Sequence, residues 1–238
     1  MKLKIYKTKQ EVAVNFSRYL AIVLASKETS HIALSGGSTP KVVFDELAAN
    51  FQPDIDWNGV HLYWGDERCV DPTDTESNYK MTVEYLLSKI DIPEDNIHRI
   101  KGENAPEYEA KRYAEVLDET LPKENELPKF DMVILGMGDD GHTASIFPHE
   151  IELWNSKNHC EVASHPDSGQ KRISITGQII NNARMVVFLV TGENKAKKMA
   201  EIKTKDEKAK NYPASLVAPT SGKLLWFVDE AAATLIYG

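Results

Sequence analysis

The sequence predicts an α/β fold in which a mostly parallel sheet is flanked by helices on both faces. Short apolar segments rich in β-branched and aromatic residues alternate with longer segments of helical periodicity. The glycine-rich and charged motifs stand directly after the apolar segments, where open α/β sheets carry their ligand-binding turns.

Five segments read as strands: HIALS at 31–35, VHLYW at 60–64, FDMVILG at 130–136, MVVFLV at 185–190 and LLWFV at 224–228. Their near-continuous apolar character is that of strands buried on both faces. Helices are expected over 9–27, 40–50, 77–89, 105–120 and 193–204, where apolar residues recur at spacings of three and four. Pro40 suits a first helical turn, with Ser38 or Thr39 as its cap, and Ser77 and Asn78 are candidate caps for the third helix. Polar stretches at 71–77 and 122–129 read as surface loops, and no repeat or linker interrupts the chain. Residues 1–238 are therefore expected to form a single domain.

With 42% hydrophobic and 27% charged residues, the chain carries enough apolar material for a sizeable core. A net charge of -8 opposes general attraction to nucleic acid or to an anionic membrane, so neither is an expected partner. Cys69 and Cys160 are far apart and outside any C-x-x-C pattern, which predicts neither a disulfide framework nor structural zinc and fits a reducing cytoplasm. No segment approaches the roughly 20 apolar residues of a membrane-spanning helix, and residues 1–12 lack the apolar core of a secretory signal.

Three turns carry candidate chemistry. Ser35-Gly36-Gly37-Ser38-Thr39-Pro40 joins a buried strand to a helix start. Its glycines let backbone N–H groups approach an anion that the helix N-terminus also favours, although the pattern equally serves as a plain strand-to-helix turn. It matches neither a Walker sequence nor a full G-x-G-x-x-G. Asp66-Glu67-Arg68 follows the next strand and places two carboxylates and a guanidinium on the same sheet edge, where a solvated charge cluster is the commoner outcome.

The segment from Leu135 to Pro148, LGMGDDGHTASIFP, is the most specific of the three. Asp140 lies two residues before His142, close enough to orient its imidazole, and such a pair can take a proton from water while nearby backbone N–H groups stabilise an oxyanion. Asp139, Asp140 and His142 can equally form a loop hydrogen-bond network, or a metal site with His149, but no H-x-x-x-H or cysteine spacing supports a metal. Lys195 and Arg172 are further cations that can meet a phosphate, Lys195 as a mobile point charge and Arg172 as a planar fork. A lone surface lysine is more often simply solvated.

SGGSTP, GDERCV followed by SN, and LGMGDDGHTASIFP, in this order and across nearly the whole chain, closely resemble the 6-phosphogluconolactonase family. The resemblance implies a Rossmann-like sheet of the kind shared with glucosamine-6-phosphate deaminases, and hydrolysis of 6-phospho-D-glucono-1,5-lactone to 6-phosphogluconate, the second step of the oxidative pentose phosphate pathway. It implies no cofactor and no metal. The deaminases resemble the chain in the glycine-rich turn and the D-G-H loop, but their pattern reads D-G-H-I-A-F-N-E-P, with a glutamate before the proline. Here Phe147 holds that place, and Arg68 stands where the deaminases carry tyrosine. A silent sugar-phosphate sensor is the remaining alternative, though no helix-turn-helix segment is evident.

The expected site follows from the resemblance and the motifs together. His142 acts as general base, Asp140 orients it, and backbone N–H groups of the glycine-rich loop with Arg68 stabilise the oxyanion. Gly36, Gly37, Ser38 and Thr39, with Lys195 and Arg172, hold the phosphate, and Asp66 and Gly138 complete the substrate contacts. The expected partner is the small sugar-phosphate lactone, and the protein is expected as a monomer or small homo-oligomer.

Overall fold

A computed structural model of the protein describes residues 2–236. Its strands are β1 (Lys2–Tyr6), β2 (Ser30–Leu34), β3 (Val60–Trp64), β4 (Asp66–Arg68), β5 (Ile97–His98), β6 (Lys123–Glu124), β7 (Leu127–Pro128), β8 (Met132–Leu135), β9 (Cys160–Ser164), β10 (Lys171–Ile175), β11 (Val186–Val190) and β12 (Leu224–Asp229). Seven of them form one sheet in the order β1-β12-β11-β8-β2-β3-β5, with every neighbouring pair parallel. β4, β10 and β9 make a second, antiparallel sheet, and β6 pairs β7 in a short hairpin. The expected loop at 122–129 thus contains this hairpin, with Lys129 buried beside it.

All five predicted strands are present within a residue or two of their expected bounds, because a strand covered on both faces leaves a continuous apolar run. The five expected helices are present but several are shorter than expected: α1 (Lys9–Ala25), α2 (Ser38–Glu46, expected to 50), α3 (Asn78–Tyr85, expected to 89), α4 (Pro106–Thr120) and α6 (Ala196–Thr204, expected from 193), with α5 (Gly177–Asn182) unforeseen. In α1, Thr8 caps the Glu11 N–H, and Val12, Phe16 and Leu20 lie fully or nearly buried at four-residue spacing. Phe16 meets Phe227 of β12 edge-on, with ring centroids 5.2 Å apart. Ser77 caps α3 as expected. At α2 the expectation fails. The helix starts at Ser38, so Ser38 and Thr39 lie inside it, and Gly37 at a φ of 108° occupies the cap position without any side-chain acceptor.

Strand order places the site. From β2 the sequence runs outward through β3 to β5 on one side, and from β8 through β11 to β12 on the other. β2 and β8 therefore flank the point where the winding reverses, and the crevice opens beyond their carboxyl ends. β3 also reaches this edge. Gly65 donates its N–H to Leu34 O at 2.8 Å and accepts from Ile175 N at 2.9 Å, after which the chain leaves the large sheet as β4 and pairs with β10.

Candidate functional site

A cavity of about 720 Å³ opens at this edge, and the turns after β2, β3, β8 and β11 line it together with β10. The expected site residues all reach its wall: Gly36 to Thr39 after β2, Asp66 and Arg68 on β4, Gly138, Asp140 and His142 after β8, Arg172 on β10, and Lys195 after β11.

The loop after β8 is folded on itself. Gly138 N–H donates to His142 O at 2.9 Å, and Gly141, at a φ of 92°, donates to Gly138 O at 3.1 Å. Asp140 Oδ1 accepts from the His142 backbone N–H at 3.0 Å and lies 2.7 Å from His142 Nδ1. Partial burial works to raise the Asp140 pKa, but the hydrogen bonds and charge of His142 outweigh it and bring it down to about 2. An ionised carboxylate only accepts hydrogen bonds, so Nδ1 carries the proton and Nε2 is left as the basic nitrogen. The ring lies over Gly138, where a Cβ would come within 2.2 Å of it, and against Phe147, with centroids 4.6 Å apart.

The loop's N–H groups contribute less to an oxyanion site than expected, since those of Gly138 and Gly141 are spent closing the turn. Positive charge comes instead from β4 and β10, where Arg68 and Arg172 are register partners. Each keeps a buried Nε without a hydrogen-bond partner, although Arg68 Nη1 donates to Glu76 O. Arg172 also lies over the Phe147 ring, 5.5 Å from its centroid. Burial and the adjacent Arg68 charge lower the Arg172 pKa, so the pair favours an anion between them.

The two carboxylates beside Arg68 divide. Glu67 turns away from the cavity and accepts from Asn78 N at 2.8 Å, Tyr79 N at 2.7 Å and Ser77 Oγ at 3.1 Å, which holds the first turn of α3. Asp66 lines the cavity but is buried, and its Oδ2 accepts from Ser145 Oγ at 2.6 Å. Neither carboxylate is part of the solvated charge cluster that such a segment more commonly forms, and both are buried.

Thr39 and Thr191 hydroxyls are 2.7 Å apart and join the turn after β2 to the turn after β11. Gly36 admits Asn78, whose Oδ1 would stand 1.8 Å from a Cβ at that position and whose Nδ2 donates to Asp66 O at 3.0 Å. Lys195 is not free. Its ammonium is paired with Asp139, which also accepts from Asn194 Nδ2 at 2.8 Å. The sequence gives no substrate-binding or catalytic role to Thr191, Asn78, Ser145 or Asp139, and points to Asn78 only as a helix cap and to Asp139 only as part of a loop network. Thr191 and Asn78 stand beside the motifs, and Ser145 lies within the segment from Leu135 to Pro148, but its role shows only through its contact with Asp66 on β4.

Among the described residues no cluster of three or more His, Cys, Asp or Glu side chains could hold a metal ion. Cys69 and Cys160 are unpaired, and burial raises the thiol pKa of both. None of the described helices is long and apolar enough to cross a membrane.

Comparison with known proteins agrees with this fold. The family model described as "Glucosamine-6-phosphate isomerases/6-phosphogluconolactonase" matches residues 6–226. The chain is 44% identical over 202 residues to the 6-phosphogluconolactonase of Treponema pallidum, covering 85% of this chain and 84% of that one. It is 42% identical to the Haemophilus influenzae 6-phosphogluconolactonase, covering 97% and 98%. Among solved structures, the 6-phosphogluconolactonase from Trypanosoma brucei superimposes with a TM-score of 0.85 at 27% identity, covering 98% of this chain and 97% of that one. A monomeric glucosamine-6-phosphate deaminase shares the fold, with a TM-score of 0.84 at 20% identity, covering 99% and 100%.

Proposed function

We propose, from the premise that the chain belongs to the glucosamine-6-phosphate isomerase and 6-phosphogluconolactonase family, that His142 is the general base of its lactonase reaction. The reaction is hydrolysis of 6-phospho-D-glucono-1,5-lactone to 6-phosphogluconate, in the oxidative pentose phosphate pathway. The observation that carries the assignment of the base is the Asp140–His142 pair, in which Asp140 engages Nδ1 and leaves Nε2 as the nitrogen able to take a proton, at the reversal point of the sheet.

Nε2 takes a proton from water as the oxygen attacks C1. Charge then develops on the former carbonyl oxygen, and the Arg68 guanidinium in the cavity wall supplies the positive charge that stabilises it. Collapse of the tetrahedral intermediate breaks the bond from C1 to the ring oxygen, and His142 returns its proton there. The phosphate lies against Gly36, Gly37, Ser38 and Thr39, with Lys195 and Arg172 supplying positive charge. Segments that follow β2, β8 and β11 and the strands β4 and β10 together supply these groups, which supports reading residues 1–238 as one domain.

Phe147 argues against deamination. It is fully buried against the His142 ring and carries no group that could transfer a proton during ring opening of an aminosugar. Purified protein given freshly generated 6-phosphogluconolactone and, separately, glucosamine 6-phosphate should release acid from the first and no ammonia from the second. Ammonia release without lactone hydrolysis would overturn the assignment.

A further inference from the structure

Asp139 and Asp140 are consecutive, yet their carboxylates serve different neighbours. Asp140 is held by His142, whereas Asp139 reaches across to the turn after β11, where Asn194 and Lys195 both meet its Oδ1. Its side chain is 67% exposed and that of Lys195 only 18%, so the ammonium is sunk in the cavity wall with an anion at its mouth. The hydrogen bond from Lys195 is the main cause that holds the Asp139 carboxyl below the usual carboxylate range. A phosphate that approaches Lys195 must therefore share the ammonium with a carboxylate already in contact with it, and must tolerate that carboxylate's charge.

We propose that Asp139 is a positioning residue that aims the Lys195 ammonium and at the same time limits how tightly the site holds a phosphate. The proposal rests on the reading of Lys195 as a phosphate contact. Its value to the enzyme lies in turnover. The product keeps the phosphate of the substrate and gains a carboxylate, so an anchor that held phosphate at full strength would hold product as firmly as substrate and give no gain in rate.

Inorganic phosphate is the probe, measured as a competitive inhibitor of lactone hydrolysis and by calorimetry on the intact protein. Asp139→Asn keeps the acceptor for Asn194 and removes only the charge. It should tighten phosphate binding about two- to fivefold, the range expected for a partly exposed ion pair. The KM for the phosphorylated lactone should fall in step. Asp139→Glu should return both values toward the wild type. Because the effect passes through Lys195, the tightening should shrink when Asp139→Asn is made in a Lys195→Ala background.

The arms separate the two claims. If Lys195→Ala leaves phosphate binding unchanged, the reading of Lys195 falls and this inference falls with it. If Lys195→Ala weakens binding but Asp139→Asn weakens it too or leaves it unchanged, only the inference about Asp139 is overturned. Equal tightening in both backgrounds would reduce Asp139 to simple repulsion and overturn its action through Lys195.

Discussion

Asp140 Oδ1 meets His142 twice, at Nδ1 across 2.7 Å and at the backbone N–H across 3.0 Å. One oxygen thus fixes both the ring and the chain that carries it. His142→Ala removes the proton acceptor from a loop rather than from the core, so the variant should fold and lose about 10²- to 10⁴-fold in lactonase rate above the spontaneous background. A folded variant with near-normal rate would eliminate His142 as the base. Asp140→Asn should act in the same direction, since an amide no longer holds the proton at Nδ1 as an ionised carboxylate does.

Gly138→Ala tests whether the position of the ring matters apart from its identity. A Cβ there would lie 2.2 Å from His142 Cε1 and Nδ1 and 2.8 Å from Asp140 Oδ1, so the imidazole must move. Displacement by about 1 Å can cost on the order of 10²-fold in rate. The expected result is a loss of that size in kcat with little change in thermal midpoint. An unchanged kcat would show that the ring has room to work elsewhere.

Lys195→Ala should lower kcat/KM for the phosphorylated lactone by roughly one to two orders of magnitude, as for a charge-assisted contact of about 1.5–3 kcal/mol. The comparison with unphosphorylated gluconolactone decides its meaning. A lost phosphate contact harms the phosphorylated substrate far more, whereas equal losses on both would remove Lys195 from the phosphate site.

A further prediction concerns the opposite end of the sheet. His31, His61 and His98 lie side by side across β2, β3 and β5, with His61 Nδ1 and His98 Nε2 3.1 Å apart and the Tyr63 hydroxyl 3.3 Å from His31 Nδ1. Lys27 and Asp131 flank His31, and Asp131 accepts its backbone N–H at 3.0 Å. Burial, followed by the charges of the other two histidines, lowers His98 from 6.5 to about 4, and burial lowers His31 and His61 as well. The folded pKa values lie below the unfolded ones, so this contribution to stability is fully present above about pH 6.5 and is lost as pH falls toward about 4. For half-buried His98 the loss should be about 1–2 kcal/mol after solvent screening. Urea unfolding of wild type and His98→Asn across this interval should show a shallower pH dependence in the variant; parallel curves would refute the claim.

The parallel core was legible because strands such as VVFLV and VHLYW are apolar without interruption, a pattern that needs no knowledge of their partners. β1, β9 and β10 escaped because lysines, glutamates and serines interrupt them, and β5 has only two residues. The site divides in the same way. Asp140 and His142 are two residues apart, so their contact could be anticipated from the chain itself. The pairing of Asp139 with Lys195 and of Thr39 with Thr191 depends on which strands end side by side, and sheet order is not written in any one segment.

The pairing of β1 with β12, which sets Lys2 opposite Leu225, has a consequence for how the protein is made. During synthesis on the ribosome β1 emerges long before β12, its one partner among the described residues, and it must wait unpaired while the rest of the domain is translated. The interior strands need no such delay. β2, β3, β5, β8 and β11 are contiguous in the sheet and are all complete before β12 appears, so the turns that line the cavity can come together first. Closure of the outer edge is then a late event of high contact order, and its slowness falls on a margin of the protein away from the chemistry.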